Sequence, residues 1–336
     1  MTVVGTGIDE LGIRRAYRWT QERGMVSLGG LPTPAQSRNF ANAVSADGSV
    51  VAVQNVAMIN GFPFDYSISA LWTEEGGLRS LGTIPGAPGT GANLPKAISG
   101  DGRVVVGIGD TPGGTGFRWS DADGWEELGQ LPGGLDGSVP LGVSYDGSVI
   151  VGSSRSGNTS ALEAFRWTRD GMVGLGDLPG GAFRSDATAC SADGNVIVGS
   201  SYSGAFPESF RWTQETGLIG LGFYGDMPTF STATAVSADG QIIVGWSGYG
   251  PWMWDAEHGM RGVHEVLREL GAEPEGWFLG RATGVAHLAD GTIVICGTGD
   301  SPTQTEAWVV TIPAPTTGMV LLAGASLVLR RRRERR

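Results

Sequence analysis

The sequence predicts an all-β protein of the β-propeller class, and three observations support this prediction. Glycine supplies 57 of the 336 residues, against a usual share of ~7%. Long helices are therefore disfavoured, because each helical Gly costs about 1 kcal/mol relative to Ala. Hydrophobic residues make up 40% of the chain, which is enough for a sizeable core. The third observation is a repeat of about 47 residues, which is the length of a four-stranded propeller blade.

The repeat consists of three short strings that recur in a fixed order. The first is a small residue, Asp and Gly followed by a β-branched run, as in SADGNVIVG from Ser191. The second is FRWT, as at Phe165, and the third is GMVGLGDLPGG, as at Gly171. Each unit therefore predicts four short strands, with an Asp-Gly hairpin between the first two. The Asp residues of the first string are Asp47, Asp101, Asp146, Asp193, Asp239 and Asp290.

Five complete units are expected, at residues 40–82, 93–130, 138–176, 184–222 and 231–263. The chain opens on TVVGTG, which has the pattern of a second strand, so the first unit is expected to lack its opening strand. The last unit ends near Ile312 and is expected to lack its closing strand. We therefore predict about seven four-stranded blades over residues 1–312, in a closed ring. A six-bladed ring that mixes the end units and a non-closing β-solenoid are the alternatives.

One stretch departs from the strand pattern and predicts a short helix inserted between the sixth and seventh units. Its apolar residues are spaced i, i+3, i+4 and i+7; they are Val263, Val266, Leu267 and Leu270. Gly271 and Pro274 are expected to end the helix.

The C-terminus predicts a membrane anchor helix within a separate segment, residues 313–336. An apolar run of twelve residues spans 318–329; its positions include Gly318, Leu321, Leu322, Leu327 and Leu329. As a helix it is about 18 Å long, and about 27 Å from Ile312, against a hydrocarbon core of ~30 Å. Basic residues follow it directly, beginning with Arg330, Arg331, Arg332 and Arg333. They predict a cytoplasmic flank, so the membrane is a predicted partner and the repeats lie outside the cytoplasm.

Such a topology requires a signal peptide, and the sequence from Met1 starts inside a strand pattern instead. We therefore expect the true start to lie upstream.

The net charge is −11 although six of the last seven residues are Arg, so the body of the chain is strongly acidic. An acidic body excludes nucleic acid as a partner.

The sequence contains no nucleotide-binding, zinc or nucleophile motif. The three histidines, His258, His264 and His287, have no metal-ligand spacing and are interpreted as structural. Cys190 and Cys296 fall in different blades and are expected to remain unbonded. We therefore predict no catalytic residue, no metal and no cofactor.

The six repeated Asp are interpreted as turn-forming residues, because each belongs to its own blade. Calcium binding is the alternative. Each carboxylate is expected to pair with the Arg of its own FRWT strand: Asp101 with Arg118, Asp146 with Arg166, and Asp193 with Arg211. The alternative is that these Arg side chains form a cluster that binds an anionic polysaccharide. Tyr249, Trp252 and Trp254 form a candidate aromatic patch for stacking on sugars.

The strings GLGDLPGG at Gly174, SADGNVIVG at Ser191 and FRWT at Phe210 resemble the HAF-family extracellular repeats of bacterial surface proteins. The C-terminus resembles the PEP-CTERM sorting signal, in which a short Pro-containing motif precedes an apolar run and clustered Arg. The matching motif is Pro313, Ala314 and Pro315, where the family has Glu between the prolines. This resemblance implies an exosortase-type processing enzyme as a partner.

The expected function is a non-enzymatic, surface-anchored or exported scaffold of the cell envelope or extracellular matrix, with extracellular polysaccharide as a partner. A lectin-like, glycan-binding propeller is the first alternative. A propeller hydrolase or lyase is the second, and it would require acidic or His residues from different blades to converge at one mouth of the ring.

Overall fold

The structure is a computed structural model of the chain. It describes residues 2–31, 37–57, 66–87, 91–111, 113–134, 137–157, 161–225, 229–314 and 327–328.

The first of two compact units, Met1–Gly174, contains four antiparallel sheets that follow one another along the chain. Sheet 1 has three strands: β1 (Thr2–Ile8), β2 (Arg14–Thr20) and β3 (Gly24–Ser27). Sheet 2 contains β4 (Ser37–Val44), β5 (Val50–Ala57), β6 (Tyr66–Thr73) and β7 (Gly77–Ser80). Sheet 3 contains β8 (Asn93–Ile98), β9 (Val104–Gly109), β10 (Gly116–Ser120) and β11 (Gly124–Glu127). Sheet 4 contains β12 (Ser138–Val143), β13 (Ile150–Arg155), β14 (Leu162–Thr168) and β15 (Gly171–Gly174).

The second unit, Leu175–Arg336, contains three four-stranded sheets and one helix. Sheet 5 contains β16 (Ser185–Cys190), β17 (Ile197–Tyr202), β18 (Pro207–Thr213) and β19 (Gly217–Gly220). Sheet 6 contains β20 (Ser231–Val236), β21 (Ile243–Ser247), β22 (Gly250–Asp255) and β23 (Gly259–Gly262). The helix α1 (Val263–Glu269) precedes sheet 7, whose strands are β24 (Phe278–His287), β25 (Ile293–Asp300), β26 (Thr305–Ile312) and β27 (Leu327–Val328).

Every sheet is an up-and-down meander, in which each strand pairs with the next one along the chain. The Asp-Gly pairs form the turns between the first and second strands, as the repeat predicts. Gly194 and Gly240 have φ angles of 68° and 74°, a left-handed conformation that glycine adopts without a steric penalty. The same end of sheets 2 to 7 therefore carries the Asp-Gly turn, and we call it the Asp-Gly end.

The core lies between successive sheets within each unit. In the first unit, Phe165 of sheet 4 shares a buried cluster with Val104 and Val106 of sheet 3. In the second unit, Val198 of sheet 5 clusters with Trp252 of sheet 6. Burying one such aromatic side chain contributes roughly 1.5–3 kcal/mol. The FRWT string places Phe and Trp on one face of the strand and Arg on the other. Both faces are packed in places, because Arg118 and Met253, at the equivalent position of sheet 6, are buried as well.

Helix α1 confirms the inserted helix. Val263, Val266 and Leu267 are its buried residues, and the side chain of Glu265 accepts a hydrogen bond from Gly262 N at 2.9 Å, which closes its first turn. Gly271 follows the helix with a φ of 65°.

The sheet boundaries agree closely with the predicted units, and sheet 1 lacks its opening strand as expected. The prediction for the last unit is wrong, because β27 supplies a closing strand: Trp308 lies opposite Val328, and Val309 lies opposite Leu327.

Leu327 belongs to the predicted anchor helix and lies in this strand instead. The other predicted residues of the C-terminal segment lie outside the described residues; they are Pro315, Gly318, Leu321, Leu322, Leu329, Arg330, Arg331, Arg332 and Arg333. Within the described ranges, no helix has both the length and the apolar character needed to span a membrane. The anchor stays a prediction of the sequence.

Candidate functional site

The six repeated Asp side chains fold back onto their own turns. In each turn one carboxylate oxygen, Oδ1, accepts the backbone N–H of the residue two positions later, at 2.9–3.1 Å. In five of the turns the Ser that opens the motif also donates its hydroxyl to Oδ1. The sixth turn has Leu288 in that place, so Asp290 has no such donor. These local donors, which the chain supplies itself, are the partners of Oδ1.

The local hydrogen bonds also stabilise the ionised form of the carboxylates. The hydroxyl of Ser45, followed by the N–H and hydroxyl of Ser49, lowers the pKa of Asp47 to about 2. The pKa of Asp193 is lowered below its ordinary value, first by the hydroxyl of Ser191.

The predicted ion pairs within each blade are wrong. Arg118 pairs with Asp123 at 2.8 Å instead of Asp101. Among the described residues, no ion pair joins Asp146 to Arg166 or Asp193 to Arg211. The equivalent Arg of sheet 1 binds a backbone group instead of a carboxylate. Arg18 Nε donates to the carbonyl of Gly48, in the turn of the next sheet, at 3.1 Å. The turn donors satisfy Oδ1 of each carboxylate.

A cavity of about 1150 Å³ opens at the Asp-Gly end of the second unit. We call it the histidine cavity, defined by His258, His287, Asp239 and Asp255. The Asp-Gly turn of sheet 6, the β22–β23 hairpin of the same sheet, and the Asp-Gly turn of sheet 7 each contribute part of its wall. Its volume exceeds the range of roughly 300–1,000 Å³ that is usual for small-molecule sites, which suits an oligomeric ligand.

The closest polar contact in this cavity joins two successive sheets. Nδ1 of His287, at the end of β24, lies 2.6 Å from Oδ2 of Asp239, in the turn of sheet 6. Burial raises the pKa of Asp239, but the hydrogen bonds from Ser237, Gln241 N–H and His287 outweigh it and lower that pKa. Asp239 is therefore a carboxylate, and it holds the imidazole through Nδ1. Among the described residues, Nε2 of His287 has no hydrogen-bond partner.

A second His–Asp pair stands in the β22–β23 hairpin. Asp255 Oδ1 lies 2.8 Å from His258 Nδ1, and Asp255 Oδ2 accepts Arg261 at 2.7 Å. Burial raises the pKa of Asp255, but the hydrogen bonds from His258 and the charge of Arg261 outweigh it and lower the pKa. The Nε of Arg261 is buried without a hydrogen-bond partner within the described structure.

The strand-three Arg of sheet 5, Arg211, also faces the histidine cavity. Its guanidinium makes no ion pair or hydrogen bond with any residue that the structure describes. The cavity therefore combines two oriented imidazoles, the paired carboxylates of Asp239 and Asp255, the further carboxylates of Glu257 and Glu269, and the Arg211 guanidinium, which is available to a ligand.

The predicted aromatic patch is divided by the fold. Trp252 is fully buried in the core, and Tyr249 is exposed and packs edge-on against Tyr224, with ring centroids 6.3 Å apart. Trp254 is the member that lines the histidine cavity, where Leu270 and Ile293 add apolar surface.

Several of the residues singled out from the sequence line this cavity; they are Arg211, Asp239, Trp254, His258, Val266, Leu270, His287, Ile312, Pro313 and Ala314. The other five repeated Asp stay in separate turns. His258 and His287 were interpreted as structural, and the structure places both in the cavity.

A departure from the repeat marks His287. The equivalent position, directly before the turn motif, is apolar or Cys in the other units: Val44, Ile98, Val143, Cys190 and Val236. Cys190 and Cys296 are not joined in a disulfide. Within the described ranges, no three His, Cys, Asp or Glu side chains are grouped to hold a metal ion.

Solved structures share this architecture. The β-propeller domain of the Trilobed protease from Pyrococcus furiosus matches 92% of this chain and 88% of its own, at a TM-score of 0.56 and 8% identity. An oligogalacturonate lyase from Vibrio parahaemolyticus matches 92% of this chain and 85% of its own, at a TM-score of 0.56 and 14% identity. The acylaminoacyl peptidase of Pyrococcus horikoshii matches 92% of this chain at a TM-score of 0.52 and 10% identity.

The chain spans 49% of the length of that peptidase and 61% of a TolB chain from Acinetobacter baumannii, which it matches at a TM-score of 0.48. No family model and no curated protein matches the sequence. At these identities the likeness shows the fold alone: the chain is a seven-bladed, all-β propeller with one helix.

The expectation that the chain is a non-enzymatic scaffold is contradicted. The solved propellers that share its fold include a lyase and a peptidase, so the architecture is one on which enzymes are built. That expectation rested on the absence of a catalytic motif in the sequence. In the structure, His287 and Asp239 come from successive sheets and meet in one cavity.

Proposed function

We propose that the chain is a polysaccharide lyase that cleaves uronate-containing chains by β-elimination in the histidine cavity. The observation that carries this proposal is the 2.6 Å contact between His287 Nδ1 and Asp239 Oδ2. A carboxylate on Nδ1 holds the neutral imidazole in the tautomer whose Nε2 accepts a proton, and it stabilises the imidazolium that results.

β-Elimination from a uronate begins when a base removes the proton on the carbon next to the carboxylate. The electron pair forms a carbon–carbon double bond, and the bond to the glycosidic oxygen breaks. His287 is the base, and its Nε2 takes the proton. His258, oriented by Asp255 at 2.8 Å, is the acid that gives a proton to the leaving oxygen.

Besides a base and an acid, the reaction requires a positive charge beside the carboxylate of the substrate, and Arg211 supplies it. Removing a proton next to a carboxylate places negative charge on that group, and a guanidinium stabilises the charge through paired hydrogen bonds. Asp239 and Asp255 are each paired, whereas Arg211 has no partner among the described residues. Trp254 offers a ring on which a sugar face stacks.

A lyase is favoured over an ester or peptide hydrolase for two reasons. Elimination requires a base and an acid but no nucleophile, and the cavity is lined by no Ser or Cys among the described residues. The lyase also matches this chain over 85% of its own length, whereas the peptidase extends over about twice the matched part. That enzyme is an oligogalacturonate lyase, and oligogalacturonate is a uronate polymer.

The test is turnover of uronate and neutral polysaccharides of matched length, followed by the absorbance of the unsaturated product. We expect the wild type to act on the uronate chain alone, and His287→Ala to lose this activity. His264→Ala is the matched control, because His264 accepts a hydrogen bond from Leu279 N at 3.3 Å and does not line the cavity. Turnover unchanged in His287→Ala, or no turnover of any uronate polymer by the wild type, would contradict the proposal.

An extracellular polysaccharide as ligand also suits the envelope location predicted from the sequence. That location, the HAF-type resemblance and the sorting segment stay predictions, which cell fractionation of the tagged protein tests.

A further inference from the structure

We propose that a second site, at the opposite end of sheets 6 and 7, binds a single acidic sugar unit without cleaving it. This site is a pocket of about 370 Å³, which we call the Arg281 pocket, and it is defined by Phe230, Trp246, Phe278, Arg281 and Asp300. That the acid is a sugar acid rests on the proposed function. The pocket itself is separate from the histidine cavity, because the two share no lining residue.

The strand directions place the two sites at opposite ends. Strand β24 starts at Phe278, in the Arg281 pocket, and ends at His287, in the histidine cavity. Strand β21 runs away from the Asp-Gly turn and carries Trp246 near its far end. A ligand in one site therefore does not occupy the other.

The backbone of β24 directs Arg281 toward sheet 6. The pairing of β24 with β25 is irregular between Leu279 and Arg281, so that Gly280 is an extra residue. Such a bulge re-aims the following side chain. The Arg281 guanidinium accordingly lies 4.3 Å from the centroid of the Trp246 ring.

Trp246 is held in turn by Phe230, whose centroid is 4.6 Å away at an interplanar angle of 70°. The exposed Arg281 side chain thus stacks on a ring that is itself packed against a second aromatic residue. Among the described residues, no group forms a hydrogen bond or an ion pair with the Arg281 guanidinium. Its forked donors match a carboxylate, which they bind through two parallel hydrogen bonds.

The rest of the pocket suits the remainder of a sugar. Phe278 exposes 58% of its surface beside Arg281, although large aromatic residues are normally buried. Its ring offers an apolar face for stacking. Asp300 Oδ1 accepts the hydroxyl of Thr305 at 2.6 Å, and its other oxygen is available to accept a sugar hydroxyl. A carboxylate, hydroxyl groups and one flat apolar face describe a uronic acid.

The test is calorimetric titration of the full chain with a galacturonate dimer, and with a galactose dimer as the neutral match. The background is His287→Val, so that the probe is not consumed. We expect the galacturonate dimer to bind at two sites. Arg281→Ala removes one of them, with an affinity loss there of about ten- to a hundredfold. Arg281→Lys keeps the charge but not the fork, and it loses most of the affinity. Phe278→Ala weakens the binding of both the galacturonate dimer and the galactose dimer.

Arg211→Ala separates this proposal from the proposed function, because it affects the histidine cavity only. If the lyase proposal fails and this one holds, a single binding event remains, and Arg281→Ala abolishes it. Arg281→Ala leaves turnover of a short substrate unchanged in the wild-type background. Unchanged galacturonate binding in a folded Arg281→Ala protein overturns the proposal. The proposal is also overturned if the galactose dimer binds as tightly as the galacturonate dimer and keeps that affinity in Arg281→Ala.

Discussion

Two turns of the second unit have nearly the same sequence and the same inner hydrogen bonds, yet they differ at one oxygen. In the turn of sheet 5, Ser191 donates to Asp193 Oδ1, which also accepts Asn195 N–H at 3.0 Å. In the turn of sheet 6, Ser237 and Gln241 N–H make the same bonds to Asp239 Oδ1. One carboxylate oxygen is therefore the structural one in both turns.

The second oxygen distinguishes them. Oδ2 of Asp193 accepts the side chain of Asn195 at 2.8 Å, within its own turn. Oδ2 of Asp239 contacts His287 of the next sheet at 2.6 Å. A turn carboxylate can thus build the fold with one oxygen and orient a catalytic base with the other, so a structural role does not exclude a chemical one.

The largest expected effect is on turnover when His287 is replaced by the residue of the equivalent position, Val236. His287→Val makes the environment of Asp239 resemble that of Asp193 and removes the base. We expect kcat on a uronate polymer to fall by roughly 10²–10⁴-fold, with the melting temperature little changed. Steady-state kinetics and circular dichroism measure both. Retained turnover in a folded variant would show that His287 is not the base.

The next effect concerns substrate binding. Trp254→Ala removes the aromatic ring of the histidine cavity, and we expect KM to rise by up to about tenfold with a smaller change in kcat. Tyr249→Ala is the matched control, because Tyr249 is an exposed aromatic residue that does not line the cavity. An equal rise of KM in both variants would argue against stacking on Trp254.

A smaller effect is expected on stability in the turn that has no His partner. Asp193→Ala removes the acceptor of Ser191 and of Asn195 N–H, and we expect a loss of about 1–2 kcal/mol in the free energy of unfolding. Denaturant titration measures it. Turnover stays at the wild-type level, and a loss of turnover comparable to that of His287→Val would remove the distinction between the two turns.

The smallest effect is a pH dependence of stability. Because the folded state holds the pKa of Asp47 at about 2, below an ordinary value near 3.8, ionised Asp47 stabilises the fold above that ordinary value. The contribution is lost as the pH falls through the folded pKa. We expect the melting temperature of Asp47→Asn to lie below that of the wild type at neutral pH and to approach it toward pH 2. A constant difference across this range would contradict the local hydrogen bonds as the cause.

The repeat made most of the fold predictable. Asp-Gly turns, β-branched second strands and FRWT third strands each have a local physical cause, so the sheet boundaries follow from spacing alone. Helix α1 was predictable for the same reason, from the spacing of Val263, Val266 and Leu267. Strand β27 was not, because an apolar stretch that includes Leu327 has neither strand alternation nor a turn signal of its own.

The site was predictable only in part. Asp239 was identified as a turn residue, but its contact with His287 depends on the packing of sheet 7 on sheet 6. The available signal was negative: His287 replaces an apolar position of the repeat, and Leu288 replaces its Ser. A polar residue in place of an apolar one is costly unless it finds a partner, so this departure pointed to a nearby acid. The predicted pair of Asp101 with Arg118 failed because Arg118 has an acid nearer in its own hairpin, Asp123.

The central claim is that Asp239 acts in catalysis through its second oxygen while Asp193 acts in folding alone. The most direct measurement compares kcat of Asp239→Asn and Asp193→Asn on the same uronate polymer, with the unfolding free energy of each. We predict similar losses of stability, a decrease of kcat of about 10²-fold in Asp239→Asn, and a wild-type kcat in Asp193→Asn. Equal kcat values in the two variants would contradict the claim.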